Sequence, residues 1–272
     1  MKTRILVAAV GLPALLAVIF FLPDWCFGVL VAAMAAIGSY ELMRAVQPAL
    51  PKGLFMFVAL MAALTEAAML TGAGEQAAVV SAFVLMAGMS CAAIRAYGRS
   101  ENVGYTAVLA AVFGGALIPH FLSALTGLRM MDSGRIFVLL PMVSAFVSDS
   151  GAYFVGKTAG RRKAFPNVSP HKTVEGCLGG FAAGVAGMLL CGVIVDAVTA
   201  LPVNYIAMAV YGIAGNLAAQ LGDLAFSLIK RQCGIKDYGN LLPGHGGILD
   251  RFDSMIFVAP VLYWTVLLWP AI

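Results

Sequence analysis

The chain has 272 residues, 61% of them hydrophobic and 11% charged, with a formal net charge of +4. A soluble domain averages roughly 45–50% apolar and about 25% charged residues. This chain therefore has too few polar side chains to cover a water-facing surface, which excludes an ordinary soluble domain and leaves lipid as the covering medium.

Apolar runs of about 20 residues are long enough to cross a bilayer, and they recur along the chain. In order, they predict spans over 5–22, 26–43, 53–71, 76–94, 104–125, 136–156, 177–199, 203–229 and 253–270. Backbone N–H and C=O groups must find partners inside lipid, so each span is read as a helix. The expected fold class is all-α: a polytopic integral membrane protein with about nine transmembrane helices. The first run, "MKTRILVAAVGLPALLAVIFFLP", has the basic start of a signal peptide. Its apolar part is long and no A-x-A-like cleavage site follows, so it is read as a retained helix.

Orientation follows from the basic residues. With a cytoplasmic N-terminus, the cytoplasmic segments carry Lys2 and Arg4, Arg44 and Lys52, and Arg95 and Arg99. The next carries Lys157, Arg161, Arg162, Lys163 and Lys172, and the last carries Lys230, Arg231, Lys236 and Arg251. Of the 17 basic residues, only Arg129 and Arg135 fall outside, as the positive-inside bias requires. The expectation is one continuous membrane domain. Residues 1–135 are read as scaffold helices with possible dimer contacts, and 136–272 as the helices that carry a cytoplasmic-side site. The basic charge on that side suits phosphate or anionic lipid rather than nucleic acid. Cys26, Cys91, Cys177, Cys191 and Cys233 show no C-x-x-C spacing and are read as apolar thiols.

Residues 151–158, "GAYFVGKT", fit the G-x-x-x-x-G-K-[ST] pattern of a phosphate-binding loop. Such a loop needs a strand before it and a helix after it. Here the pattern continues the sixth apolar run and is followed by a basic loop with two prolines, so a nucleotide-hydrolase loop is not expected. Lys157 is left as a helix-end cation within reach of a phosphate.

Intramembrane carboxylates are costly, about 2.5–3.5 kcal/mol for Asp at a helix centre on insertion scales, and usually face protein or a watery cavity. Glu66 and His120 lie toward the outer ends of their spans, where a structural hydrogen bond is expected. The eighth span, "NLAAQLGDLAFSLIKR", sets Asn216, Gln220, Asp223, Ser227 and Lys230 or Arg231 at three- and four-residue steps, on one helical face. Such a stripe lines either a cavity or a helix contact. Nearby, "SPHKTVEG" offers Ser169, His171, Lys172, Thr173 and Glu175, and the sixth span offers Ser144, Ser148 and Asp149. The loop "KRQCGIKDYGNLLPGHGGILDRFD" is too rich in Gly and Pro for a regular helix and allows close backbone approach to a ligand. Its Lys230, Arg231, Lys236 and Arg251 suit phosphate, while Asp237, Asp250 and Asp253 suit a hard cation.

The stretch Ser227–Asp253, "SLIKRQCGIKDYGNLLPGHGGILDRFD", resembles the signature of the phosphatidate cytidylyltransferases, also called CDP-diacylglycerol synthases. Ser227, Lys230, Arg231, Lys236, Asp237, His245, Gly246, Gly247, Asp250, Arg251 and Asp253 fill its fixed positions. "SDSGAYFVGKTAGRRK" and "SPHKTVEG" also resemble the family, which commonly has lysine where this chain has His171. The resemblance covers residues 145–253; the first five spans match only in hydropathy. It implies an enzyme, a nucleotidyltransferase that converts CTP and phosphatidic acid to CDP-diacylglycerol and pyrophosphate. The implied catalytic residues are Asp223, Ser227, Lys230 and Asp250, with Asp223 and Asp250 holding Mg²⁺ and a second cation such as K⁺ nearby. Substrate contacts are expected from Lys157, Ser169, Lys172, Thr173, Arg231, Lys236, Asp237, His245, Gly246, Gly247, Arg251 and Asp253. A homodimer in a bacterial-type plasma membrane, with the site facing the cytoplasm, is the implied setting. Two rivals are a secondary transporter, whose site belongs near the midplane between repeats, and a CTP-dependent polyprenol or phytol kinase, which releases CDP rather than pyrophosphate.

Overall fold

The computed structural model describes residues 2–98, 103–199, 201–242, 244 and 246–272, with side chains from residue 9 onward. Arg99 and the side chains of Lys2 and Arg4, counted above for orientation, lie outside the described residues. Among the described residues, eight helices are long and apolar enough to cross a membrane: Asp24–Val46, Lys52–Thr71, Gly74–Ala96, Tyr105–Arg129, Gly134–Ala159, Val174–Thr199, Tyr205–Gln232 and Leu249–Leu268. They are preceded by α1 (Lys2–Phe21), whose apolar part covers Ala9–Phe21. The expected all-α polytopic class is the class observed.

Helix boundaries follow from local chemistry. Helix α2 (Asp24–Val46) starts after Pro23, with Asp24 in its first turn and Arg44 in its last, charges that complement the helix dipole. Helix α3 (Lys52–Ala67) starts after Pro51, tightens into a 3₁₀ turn over Ala68–Thr71 and stops at Gly72, whose φ of 76° suits glycine. Next come α4 (Gly74–Ala96) and a span built of α5 (Tyr105–Val112), a π turn (Phe113–Leu117) and α6 (Ile118–Arg129). The π turn has a cause: Pro119 has no N–H for the carbonyl four residues back, and its ring crowds that carbonyl. The Ser39 hydroxyl donates to the Gly114 carbonyl within the same turn, at 2.5 Å.

After the short α7 (Gly134–Phe137) and α8 (Leu139–Ala159), residues expected to form only a basic loop make an antiparallel hairpin. Its strands are β1 (Lys163–Phe165) and β2 (Ser169–Thr173). Pro170 is tolerated because a two-stranded hairpin leaves it an edge position. Helices α9 (Val174–Thr199), α10 (Tyr205–Gln232) and α11 (Leu249–Leu268) complete the chain. Here the sequence-based boundary needs correction. The sequence places Asp250 and Arg251 in a loop, whereas they lie in the first turn of α11.

By internal packing, the chain forms two compact units, Met1–Gly127 with Gln232–Phe252 and Leu128–Arg231 with Asp253–Ile272. In the first, Met43, Phe55, Val58, Leu85, Met89 and Val108 form the apolar core. Outward positions are apolar too, including Val79, Phe83 and Ile94, as expected where lipid replaces water. Glu66 is fully buried in this unit and accepts a hydrogen bond from the Thr126 hydroxyl at 2.6 Å, as its position suggested. His120 does not follow the expectation, since its Nδ1 is buried without a hydrogen-bond partner among the described residues.

The second unit is held by close helix contacts. Gly176, Gly180 and Gly184 recur every fourth residue on α9, which lets backbones approach. A Cβ at Gly180 would lie 2.9 Å from the Ser148 carbonyl oxygen and 3.0 Å from the Ala152 Cβ. On α10, Gly222 abuts the Asp253 carbonyl in the same manner.

Candidate functional site

Residues 151–158 are helical throughout, as the last turns of α8. The phosphate-binding-loop pattern therefore has neither its strand nor its loop. Lys157 is exposed, with its ammonium 5.7 Å from the centre of the Tyr153 ring.

Within the second unit, the middle of α8, the start of α9, the C-terminal half of α10 and strand β2 line a cavity of about 240 Å³. Helix α8 supplies Ser148, Asp149 and Tyr153, and β2 supplies His171, Lys172 and Thr173. Helix α9 adds Gly176 and Cys177, and α10 adds Gln220 and Asp223. Three separate sequence regions thus meet around one space.

The two readings of the α10 stripe both hold, and Gln220, which lines the cavity and also bonds neighbouring groups, belongs to both. Asn216 is fully buried and donates to the Ser148 hydroxyl at 2.5 Å and the Gly180 carbonyl at 2.9 Å. Gln220 donates to Asn216 Oδ1 at 2.7 Å and the Cys177 carbonyl at 3.1 Å. Those two amides fasten α10 to α8 and α9. One turn further, the stripe becomes ionic. Lys172 Nζ lies 2.5 Å from Asp223 Oδ2, and the Ser227 hydroxyl donates to Asp223 Oδ1 at 3.2 Å. Lys230 Nζ lies 3.9 Å from Asp253 Oδ2, both side chains only 12% exposed. Asp253 is also within electrostatic reach of Asp223 and Asp149.

Other predicted contacts in this unit have structural partners. Thr173 caps α9, accepting the Gly176 N–H at 3.1 Å. Arg231 donates through Nε to the Val168 carbonyl at 3.2 Å, which ties α10 to the hairpin turn. Glu175 accepts the backbone N–H groups of Arg161 and Arg162 at 3.0 and 3.2 Å. Ser169 is half-buried in β2. Tyr153 was not singled out from the sequence, because an aromatic in an apolar span reads as a lipid contact.

The rest of the signature belongs to the first unit. Lys236, Asp237 and Arg251 are exposed, and His245 lies outside the described residues. Asp250 is buried, and its Oδ2 accepts the N–H groups of Tyr238 at 2.8 Å and Gly247 at 3.0 Å. Gly246 has a φ of 89°, a conformation that side chains rarely adopt, and its carbonyl accepts the Leu242 N–H at 2.9 Å. Beside this turn lies Glu41 of α2, which sequence reasoning passed over. Its carboxylate accepts the N–H groups of Ile248 at 3.2 Å and Leu249 at 2.9 Å.

Among the described residues, no three His, Cys, Asp or Glu side chains are grouped to hold a metal ion. Magnesium does not require such a cage, since it takes one or two carboxylates and completes its shell with substrate phosphate and water. Asp223 is 28% exposed and has the Ser227 hydroxyl against it. Those oxygen donors fit a hard cation of that kind.

Residues 2–269 match the cytidylyltransferase family. The chain is 43% identical over 169 residues to a phosphatidate cytidylyltransferase of Bacillus subtilis (strain 168), covering 62% of this chain and 60% of that protein. It is 43% identical over 136 residues to a phosphatidate cytidylyltransferase of Synechocystis sp. (strain ATCC 27184 / PCC 6803 / Kazusa), covering 50% of this chain and 45% of that one. Against the uncharacterized protein YnbB of Escherichia coli (strain K12), identity is 35% over 190 residues, covering 68% of this chain and 62% of the other. The matches thus span about half to three-fifths of these relatives' lengths. Because the family match runs through nearly the whole sequence, ionic cavity and signature turn included, the chain belongs to the cytidylyltransferase family.

Proposed function

We propose that the protein transfers the cytidylyl group of CTP to phosphatidic acid, giving CDP-diacylglycerol and pyrophosphate. The carrying observation is the Lys172–Asp223 pair in the cavity wall, with Ser227 against the same carboxylate. A mixed set of ammonium and carboxylate groups, from strand β2 and the C-terminal half of α10, suits phosphates accompanied by a cation. Relatives named phosphatidate cytidylyltransferase support the same reading.

In the reaction, an oxygen of the lipid phosphate forms a bond to the α-phosphorus of CTP. The bond from that phosphorus to the bridging oxygen breaks, and its electron pair leaves with pyrophosphate. Attacker and target are both anionic, so the main task is neutralising charge and aligning the groups. Lys172 and Lys230 supply positive charge at the cavity wall and beside Asp253. The lipid phosphate is already ionised near neutral pH, so no side chain is assigned as general base. The resemblance supplies the metal ligands of this reading, Asp223 and Asp250; bound Mg²⁺ would add neutralising charge on the phosphates. A cavity of about 240 Å³ falls below the roughly 300–1,000 Å³ of whole-ligand pockets. It is sized for phosphate groups, leaving the acyl chains to lipid.

The same reading includes a cytoplasmic N-terminus, an outer C-terminus, a homodimer and a bacterial-type plasma membrane. Reporter fusions at both ends test the orientation, and two ends on one side would overturn it. The reaction itself is tested with purified protein, CTP labelled at the α-phosphate and phosphatidic acid. Label should enter the lipid with release of pyrophosphate. Release of CDP instead would indicate a kinase, and flux without a chemical product a transporter.

A further inference from the structure

Glu41 sits on α2, 6% exposed, and its two partners lie more than 200 positions away in sequence. The Ile248 and Leu249 N–H groups belong to the start of α11, where backbone donors have no acceptor within the helix. A carboxylate there gains both hydrogen bonds and the favourable end of the helix dipole. Burying it is still costly, and more so because the Asp250 carboxylate lies within electrostatic reach. The surrounding backbone is shaped to admit it. A Cβ on Gly239 or on Gly247 would collide with the Glu41 carboxylate, so two glycines of the signature region make room for this one side chain.

Asp250 holds the neighbouring backbone through the Tyr238 and Gly247 N–H groups. The N–H groups of Tyr238, Gly247, Ile248 and Leu249 thus converge on two carboxylates, Asp250 from the same stretch of chain and Glu41 brought by α2. We propose that Glu41 is a positioning residue. By holding the first N–H groups of α11, it orients Asp250 and the Gly246–Gly247 backbone for cytidylyl transfer. This rests on the function proposed above. It also gives α2 a part in the site beyond that of a membrane scaffold.

The test compares wild type, Glu41→Gln and Glu41→Ala in the full chain, purified in detergent. Gln keeps the shape and one acceptor oxygen, while Ala removes both. Hydrogen exchange in a peptide covering residues 246–252 should speed up in the order wild type, Gln, Ala, while exchange in α3 stays the same. With α-labelled CTP, kcat should fall about tenfold for Gln and about 100-fold for Ala, as expected for one and two lost charge-assisted hydrogen bonds. KM for phosphatidic acid should change little. If Ala does not fold, the near-isosteric Gln carries the test alone. Faster exchange with unchanged kcat in Gln, or a lower kcat with unchanged exchange, overturns the proposal. Absence of labelled lipid from wild type would overturn the functional reading itself; labelled lipid at equal kcat from wild type and Gln overturns this inference alone.

Discussion

Replacing Asp223 with Asn is expected to cut cytidylyl transfer by on the order of 100-fold or more, the scale of losing one preorganised electrostatic group from an active site. The substitution keeps the size of the side chain and removes its charge. Lys172 Nζ, 2.5 Å away, loses its counter-ion, and the Ser227 hydroxyl faces a weaker acceptor. Asp253, in contrast, loses a like-charged neighbour. The lost ion pair and the relieved repulsion oppose each other, so stability should change little while activity collapses. A large loss of activity at nearly constant stability separates a working carboxylate from a structural one. Any residual transfer should need more Mg²⁺ than wild type does, as the proposed metal role requires. Two measurements decide it: thermal unfolding in detergent, and a Mg²⁺ titration of label transfer. Folded Asp223→Asn protein with near-normal rate and metal dependence would remove Asp223 from the site.

The second large effect is mechanical. Gly180→Leu should splay α9 from α8, because the new Cβ would meet the Ser148 carbonyl oxygen at 2.9 Å. A backbone atom cannot swing aside as a side-chain tip does. Overpacking typically costs roughly 1–3 kcal/mol, and this change belongs at the upper end or beyond, since the Asn216 amide also donates to the Gly180 carbonyl. The apparent Tm should drop by several degrees, by about 2–4 °C per kcal/mol for a chain of this size. Activity should fall with it, because the cavity wall is built on the same helix pair. Gly53→Ala serves as the control, as a Cβ there meets nothing within 4 Å. Equal melting curves for Gly180→Leu and wild type would mean that the close α8–α9 contact does not support the fold.

Asp223 was visible in the sequence because its stripe keeps a helical step and ends in basic residues. Gly180 is one of 30 glycines, and nothing in its letter says which neighbour it touches. The stripe itself was ambiguous for the same reason. Asn216 and Gln220 look like Asp223 in spacing, yet they spend their amides on Ser148, Gly180 and Cys177. Only the placement of three helices shows that Asn216 is a fastener, that Gln220 both fastens and lines the cavity, and that Asp223 lines it.

By itself, the sequence determined the membrane class, the approximate spans and the signature residues. A bilayer imposes a length and a polarity on each crossing segment, and those constraints are written locally, letter by letter. Where local rules compete, the reading slipped. The prolines of the hairpin suggested a loop, although edge pairing tolerates Pro170, and the glycines before Leu249 hid the helix start there. The tertiary structure alone decided what Glu41 does. Its partners are backbone N–H groups 207 and 208 residues away. Every residue except proline carries that donor, so no sequence pattern can single it out, and only folding brings the carboxylate and the helix start together.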